Sequence, residues 1–372
     1  LHFEARRQRQ MCIRDSKWTM ELKAKAVVWL CQKSNKSLLN LTESDYNENN
    51  LSELLMYQSP YDINLEIFNK ISRTITGWPG GKPSADDTYR PERAVPSKKR
   101  VLIFSPHPDD DVISMGGTFA RLVSQGHQVH VAYQTSGNIA VNNSDVLKYI
   151  EVYSETSSKA KKKSKDLIEL LKYNNEILEN PEIRNMASII REKESLAATR
   201  FVGIPDSNVH FLKLPFYETG TVKKSSPTES DKKIMSNIIS KIKPHQIYAA
   251  GDLADPHGTH KVCLDVFFNV LKTIKQKSFM KDCWVWLYRG AWHEWEVHQI
   301  DMSIPMSPNQ VLRKRKAIFY HQTQKDNVMF QGDDNREFWV RTEDRNRAIA
   351  KTFRDLGMSD YSAIETFKRY HF

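Results

Sequence analysis

Residues 105–118 read SPHPDDDVISMGGT and directly follow the apolar run VLIF at positions 101–104. The run is typical of a short buried strand, yet it leads into His107 and three consecutive aspartates, Asp109–Asp111. Neighbouring carboxylates repel one another and lose hydration energy on burial unless positive charge lies among them. A metal ion or basic side chains would supply that charge, and the remaining alternative is a turn exposed to water.

The region that begins at Arg100 alternates short apolar stretches with amphipathic ones. The stretches that resemble strands are VLIF (101–104), HQVHVAYQTS (127–136), NVHFLKL (208–214) and QIYAAG (246–251). Between them, apolar residues recur at helical spacing, as at Met115, Phe119 and Leu122. This alternation predicts an α/β fold with a mostly parallel sheet that helices cover on both faces.

A second polar loop, GDLADPHGTH, follows the strand QIYAA and ends at His260. In an open α/β sheet, ligands bind at the carboxyl ends of the strands, where both loops are expected to lie. A hydrolytic zinc site takes three protein ligands and leaves one position open for water. We therefore predict zinc ligation by His107 and Asp110 in the first loop and by His260 in the second.

Three other residues of the two loops have side chains suited to the chemistry around such an ion. Asp109 lies beside the ligands and is expected to accept the proton of the attacking water. His257 is expected to polarise a carbonyl or to protonate a leaving amine. Asp111 is expected to be an acid at a helix start, stabilised by the helix dipole, rather than a ligand.

The pair of loops, with the GG-containing helix after the first one, resembles the signature of the PIG-L/LmbE-like deacetylase family. The resemblance extends over roughly residues 98–325 and implies a Rossmann-like, LmbE-like fold. It also implies a zinc-dependent hydrolase that removes an acetyl group from an N-acetylglucosamine-type amino sugar. The residues it matches are His107, Asp110 and His260 as zinc ligands, Asp109 as general base, His257 as acid or oxyanion stabiliser, and Arg191 as a substrate-binding residue.

The sequence departs from the family pattern in both loops. Asp111 stands where the family usually has glutamate, and Gly258 and Thr259 replace the proline and aspartate of the usual HPDH motif. In the family the missing aspartate often orients the catalytic histidine, so Asp255 or Asp252 is a candidate substitute. The alternative is a domain whose changed second loop has lost catalysis, leaving a non-catalytic module that binds a sugar or a partner.

Composition divides the rest of the chain into segments around this domain. Residues 17–71 are helical in pattern and resemble the end of the upstream domain in a fused glucosamine-6-phosphate deaminase-like protein, without that domain's catalytic residues. The other expected segments are a non-native leader at 1–16, a Pro- and Gly-rich linker at 72–99, the deacetylase-like domain at 100–325 with a lysine-rich helical insertion at 142–186, and a C-terminal extension at 326–372.

The composition also argues against several other classes of protein. No apolar stretch approaches the roughly 18 residues of a membrane span, and the start lacks the apolar core of a secretory signal, so we expect a cytoplasmic protein. The four cysteines form no CxxC pair, which argues against a zinc finger. Much of the net charge of +10 lies in basic runs at 159–165 and 313–316, which are typical of solvated helix faces. The expected partner is a small amino sugar rather than nucleic acid. The sequence is compatible with an oligomer and does not determine the oligomeric state.

Three tryptophans near the C-terminal side of the domain allow two interpretations. Trp286, Trp292 and Trp295 either stack on the face of a sugar or pack in the core. The sequence does not discriminate between these roles, and it leaves the exact substrate open.

Overall fold

The structure is a computed structural model that describes residues 18–82, 96–173, 180–219, 224–290, 292–326 and 334–372. The expected leader at 1–16 and a large part of the expected linker, residues 83–95, lie outside these ranges. Among the described residues, no helix is both long enough and apolar enough to cross a membrane.

Strands and helices alternate along the chain from Arg100 onward, as the sequence predicts. The strands are β1 (Arg100–Ser105), β2 (Gln128–Tyr133), β3 (Val209–Phe211), β4 (Gln246–Ala250), β5 (Trp284–Tyr288), β6 (Met302–Met306) and β7 (Ala363–Tyr370). The helices are α1 (Met20–Ser34), α2 (Glu43–Glu48), α3 (Pro60–Ser72), α4 (Asp110–Ser124), α5 (Asn143–Ser154), α6 (Ser158–Tyr173), α7 (Pro181–Val202), α8 (Glu229–Ile242), α9 (Thr259–Ile274), α10 (Pro308–Ile318), α11 (Gln322–Lys325) and α12 (Phe338–Asp355).

In the described part of the chain, seven strands form one sheet in the order β3-β2-β1-β4-β5-β7-β6. The strands β1 to β5 pair in parallel, and β7 runs antiparallel to both of its neighbours. This is the mostly parallel, Rossmann-like α/β sheet that the sequence predicts. The chain leaves β1 towards β2 on one side, whereas β4 lies on the other side. The crevice between the ends of β1 and β4 is therefore the topological switch point, where such sheets bind ligands.

Successive residues of the central strands are buried on opposite faces of the sheet. Leu102 and Phe104 of β1 belong to an apolar cluster that includes residues of α8 and α9, whereas Val101 and Ile103 belong to a second cluster with residues of α4 and α7. A strand buried on both faces reads as a continuous apolar run, which is why VLIF shows no polar alternation. The sheet thus fixes the end of β1 between two packed helical layers.

The N-terminal helices pack against the same core as the sheet. Residues of α1 and α3, among them Val27 and Ile67, are fully buried in the cluster that contains Leu102. After α3, the amide of Thr76 donates to the carbonyl of Ser303 at 2.9 Å, so this segment pairs with the edge strand β6. The helical pattern expected at 17–71 is confirmed by α1 to α3, and its origin in a larger upstream domain stays a prediction.

Two expected boundaries fall within continuous structure. The C-terminal strand β7 lies between β5 and β6, so the sheet extends across the boundary expected at residue 325. In the expected insertion at 142–186, α5 and α6 pack against each other, but α7 already begins at Pro181. The side chain of Asn180 caps this earlier start, because it accepts hydrogen bonds from the amides of Glu182 and Ile183.

A buried carboxylate stabilises a kink in α4. Met115 has non-helical dihedral angles (φ −135°, ψ 25°), which interrupt the helix just before Gly116 and Gly117. The amides of Gly117 and Thr118 donate instead to the carboxylate of Glu365 in β7, at 3.0 and 2.6 Å. A Cβ on Gly117 would come within 2.2 Å of the sulfur of Met306, so any larger residue there would displace that side chain. A Cβ on Gly116 would come within 3.0 Å of Lys314 Cγ in α10, so close packing of α4 on β6, β7 and α10 explains the GG pair of the sequence.

Lys314 of α10 neutralises the charge of this carboxylate. Its Nζ lies 2.8 Å from Glu365 Oε1 and donates to Asn346 at 2.9 Å. Both charged side chains are at most 1% exposed, so each depends on the other for compensation. The pair links α10 and β7 to the helix that begins at the aspartate cluster.

We expect Lys314→Met to lower the free energy of unfolding by about 3–5 kcal/mol, because it leaves Glu365 buried without its counter-charge. The matched control is Lys351→Met, which removes a lysine that is 65% exposed and pairs with Asp355 on α12. A surface pair of this kind contributes less than about 1 kcal/mol. Urea unfolding measures both variants, and equal midpoints would contradict the importance of the buried pair.

Candidate functional site

The two polar loops meet at the switch point between β1 and β4, where they line a cavity. The polar residues expected from the sequence that line it are His107, Asp109, Asp110, Arg191, His257 and His260, together with Asp255. The structure therefore brings together the residues that the sequence places in two loops and one distant helix.

The three expected metal ligands present their atoms to a common point. Asp110 Oδ2 lies 3.2 Å from His107 Nδ1 and 3.1 Å from His260 Nε2, and the two histidine nitrogens are 3.3 Å apart. Zinc bonds of about 2.0–2.2 Å at tetrahedral angles place ligand atoms roughly 3.3–3.6 Å apart. The spacing and the donor set of two imidazoles and one carboxylate thus suit a tetrahedral divalent ion.

The backbone holds His260 in the orientation that a ligand needs. Its Nδ1 lies 2.8 Å from the carbonyl oxygen of Asp252, and because a carbonyl only accepts, Nδ1 must carry a proton and donate it. The other nitrogen, Nε2, therefore has its lone pair free for the cluster unless the ring is charged. His260 is 2% exposed, since α9 buries it directly at its first turn.

Electrostatics at this point favour positive charge. Burial disfavours a charged imidazole, but the neighbouring Asp110 outweighs burial and raises the pKa of His260 to about 10. Burial likewise opposes ionisation of Asp110, but His260 and His107 hold the pKa of that carboxyl well below its ordinary value. A divalent ion held by the same three atoms would supply the positive charge that Asp110 needs.

Asp109 lies beside the ligands and contacts a different cation. Its Oδ2 accepts a hydrogen bond from Arg191 Nη2 at 2.9 Å, and the same nitrogen donates to the carbonyl of Pro108. Burial raises the pKa of Asp109 above its ordinary value, although Arg191 acts in the opposite direction. Nε and Nη1 of Arg191 are buried without a hydrogen-bond partner among the described residues, and the side chain lines the cavity.

Asp111 is the second residue of α4 and is fully buried away from the three ligand atoms. Its Oδ2 accepts a hydrogen bond from the hydroxyl of Tyr133 at 2.9 Å, and its amide donates to Ser105 Oγ at 3.1 Å. Burial raises the pKa of Asp111 to about 7, so this carboxyl carries less charge than Asp110, whose pKa is lowered. Asp111 thus joins the start of α4 to β2.

The second loop ends in a turn at Gly258, and Asp255 caps the helix that follows. Gly258 has φ +65°, which proline cannot adopt, and it directly precedes α9. Both carboxylate oxygens of Asp255 accept backbone amides, from Thr259 at 2.7 Å and from His260 at 3.2 Å. Asp255 therefore caps α9 and thereby positions His260, a role that the sequence analysis did not assign to it. Its candidate role in orienting His257 stays a prediction.

His257 is half-buried and lines the cavity. Burial and the nearby His107 lower its pKa below the ordinary value, although Asp255 acts in the opposite direction. Asp252, the other acid considered for orienting this histidine, uses its Oδ2 to accept the amides of Trp292 and His293, at 2.6 and 2.9 Å. Both acids are thus hydrogen-bonded to backbone amides of the loops around the cavity.

The lining also contains residues that the sequence analysis did not select. Tyr217, Gln324 and Phe338 line the cavity, as do Ile113 and Ile139. Phe338 opens α12, in a segment where no motif points to a site, and Gln324 lies on the short α11. Proximity of these residues to the loops follows from the tertiary fold, and no sequence signal at these positions could have indicated it.

The three tryptophans have different environments. Trp286 and Trp295 are 2% and 6% exposed and belong to the two core clusters. Trp292 is half-buried and lines the cavity. Packing is therefore the role of the first two, and only Trp292 of the three is available to a ligand.

The family model described as "PIG-L: GlcNAc-PI de-N-acetylase" matches residues 102–271. Residues 102–271 are a PIG-L domain. The match begins in β1 and ends in α9, so it contains both polar loops and Arg191. It excludes β5, β6, β7 and the helix α12, which complete the sheet and the cavity.

A curated relative is similar over almost the whole chain. It is a putative glucosamine-6-phosphate deaminase-like protein of Bacteroides thetaiotaomicron, 48% identical over 376 residues, which cover 98% of this chain and 57% of that protein. The chain therefore spans little more than half the length of that relative. This similarity agrees with the resemblance of residues 17–71 to part of a fused deaminase-like protein.

Solved structures are similar at a lower level. The N,N'-diacetylchitobiose deacetylase from Pyrococcus horikoshii is 18% identical, with a TM-score of 0.47 over 73% of this chain and 84% of that one. The conserved protein TT1542 from Thermus thermophilus has the same identity and TM-score, over 73% and 94% of the two chains. Similarity at this level does not bear on the activity of this chain.

We expect one divalent ion per chain, bound by His107, Asp110 and His260, because their three donor atoms have tetrahedral spacing. Alanine at any of the three positions should reduce the metal content, measured by mass spectrometry after dialysis against zinc, to a small fraction of one equivalent. Asp111→Asn is the matched control, since Asp111 is the neighbouring carboxyl that bonds Tyr133 instead. Loss of metal in the control, or full retention in the alanine variants, would contradict this assignment.

Proposed function

We propose that this chain is a zinc-dependent amide hydrolase that removes the acetyl group from an N-acetylglucosamine-type amino sugar in the cytoplasm. The observation that carries the proposal is the convergence of His107, Asp110 and His260 at one point of a cavity that Asp109 also lines. A ligand triad with a neighbouring buried carboxylate is the minimum for metal-assisted hydrolysis. The PIG-L domain favours an acetamide as the bond that is cleaved.

Zinc, when bound, polarises a carbonyl and makes water a stronger nucleophile at neutral pH. Asp109 Oδ2 accepts the proton that water loses, and its burial raises its affinity for that proton. Arg191 holds this carboxylate in place through Nη2 and keeps Nε and Nη1 for the substrate. Asp109 and Arg191 are both at most 5% exposed, and burial strengthens the interaction between their charges.

His257 acts on the substrate rather than on the metal. Its ring lines the cavity, and its side chain does not belong to the group of three converging donor atoms. A protonated imidazole there stabilises negative charge on the carbonyl oxygen and then passes its proton to the departing amine. The lowered pKa of His257 makes the protonated ring a stronger acid, and it also reduces the fraction of the ring that carries a proton at neutral pH.

A second candidate function is non-catalytic sugar binding by the same cavity. The feature that favours it is the second loop, where Gly258 and Thr259 replace residues of the usual family motif. The buried hydroxyl of Thr259 has no hydrogen-bond partner among the described residues, so nothing there replaces the carboxylate of the family. Sugar and zinc binding without acetate release would support this alternative.

We expect Asp109→Asn to retain zinc and to lower the rate of acetate release about 10²–10⁴-fold, because an amide cannot accept the proton of water. The assay follows acetate released from N-acetylglucosamine and its methyl glycoside, together with metal content. If this variant lost its metal, Asp109 would be a ligand and the assignment of roles would be wrong.

We expect His257→Ala to retain zinc and substrate binding and to lower kcat by about 10²–10⁴-fold. His293→Ala is the matched control, because His293 belongs to the neighbouring loop but its side chain is 68% exposed. Steady-state kinetics on both variants separate kcat from KM. A rate for His257→Ala equal to that of the control would mean that another group provides the proton.

A further inference from the structure

Two aromatic rings form a corner in the lining of the cavity. Trp292 follows β5, and Phe338 is the first residue of α12, so they come from segments well separated along the chain. Their ring centroids lie 5.4 Å apart at an interplanar angle of 86°. We call Trp292 and Phe338 the aromatic corner. Both residues lie outside the matched domain at 102–271.

A buried cation holds the two rings of the aromatic corner together. The guanidinium carbon of Arg341 lies 4.8 Å from the Phe338 ring centroid and 5.3 Å from that of Trp292. Arg341 is fully buried, and its Nε donates to the carbonyl of Arg336 at 2.7 Å. Because this cation is packed against both rings, the corner is a constructed feature rather than two side chains that meet by chance.

The aromatic corner is also tied to the loops that carry the metal ligands. The amide of Trp292 donates to Asp252 Oδ2 at 2.6 Å, and the carbonyl of the same aspartate fixes Nδ1 of His260. On α12, the helix that carries Phe338, the hydroxyl of Thr342 donates to the carbonyl of Ile113 at 2.8 Å. Ile113 lies on α4, about one turn after Asp110. The corner and the ligand atoms therefore keep a fixed relative position.

The rings remain accessible although their supports are buried. Trp292 and Phe338 are both half-buried, and both pack against the core cluster that contains Ile103 without belonging to its buried members. Each borders the same cavity as the polar residues Asp109 and Arg191. A ligand in that cavity thus meets charged groups and an aromatic surface at once.

We propose that the aromatic corner binds the pyranose ring of the substrate and so selects N-acetylated sugars over small acetamides. This inference rests on the proposed function, because the acetamide must lie at the ligand triad for its sugar ring to reach the corner. A pyranose ring has a face of C–H groups with little polarity, which packs on aromatic side chains and loses unfavourable contact with water. An acetamide without a ring gains nothing from such a surface.

The test compares Trp292→Ala and Phe338→Ala with the matched control Trp339→Ala. Trp339 follows Phe338 on α12 but packs on Phe319, at 5.7 Å between centroids, and it does not line the cavity. Binding of the methyl glycoside of N-acetylglucosamine to zinc-loaded protein is measured by calorimetry, which needs no turnover. Aromatic contacts of this size predict a Kd weakened about three- to tenfold in both corner variants and a change below about twofold in the control.

Kinetics provide the second measurement. In the corner variants, KM for the methyl glycoside should rise by a similar factor, while kcat changes less. The kcat/KM for N-acetylethanolamine, which has no ring, should stay as in the parent. If the parent protein released no acetate but the corner variants still lost glycoside binding, the result would support sugar binding by the aromatic corner and refute the proposed hydrolase activity. Three results would overturn the proposal that the aromatic corner binds the sugar ring. They are wild-type affinity for the glycoside in the corner variants, an equal loss of kcat/KM for the glycoside and for N-acetylethanolamine, and no binding of the glycoside by the parent.

Discussion

The burial of three consecutive carboxylates is the constraint on which the rest of the structure depends. Asp109, Asp110 and Asp111 are each at most 5% exposed at the end of a parallel strand, where their mutual repulsion is hardly screened. Each is satisfied from a different element: Asp109 by Arg191 of α7, Asp110 by the two histidines, and Asp111 by Tyr133 of β2. The helix α7 and the second loop therefore supply positive charge and hydrogen-bond donors to this buried cluster.

Support for this cluster comes from far along the chain. The kink of α4 at Met115 is stabilised by Glu365 in β7, whose charge Lys314 neutralises. The strand β7 also completes the sheet between β5 and β6, and α12 brings an aromatic ring to the cavity. The matched domain ends at residue 271, so the site depends on about one hundred residues beyond it.

The sequence predicts the sheet and the position of the polar loops because these follow from local patterns. VLIF and QIYAA are continuous apolar runs, and each leads into polar residues that cannot continue a buried strand. The antiparallel β7 and the pairing of Glu365 with Lys314 were not predicted, since they depend on residues 51 positions apart meeting in the core. The capping of α9 by Asp255 was not predicted for a related reason, since it depends on how the second loop turns before the amides of Thr259 and His260. Phe338 could not be placed at the cavity without the tertiary fold.

The central claim is that a metal ion is held between the two loops, and the most direct measurement is anomalous diffraction from crystals grown with zinc. Data collected on both sides of the zinc absorption edge identify the element and its position. The account predicts one peak per chain that is bonded to His107 Nδ1, Asp110 Oδ2 and His260 Nε2. No peak at this point, or a peak bonded to Asp109 in place of Asp110, would contradict it.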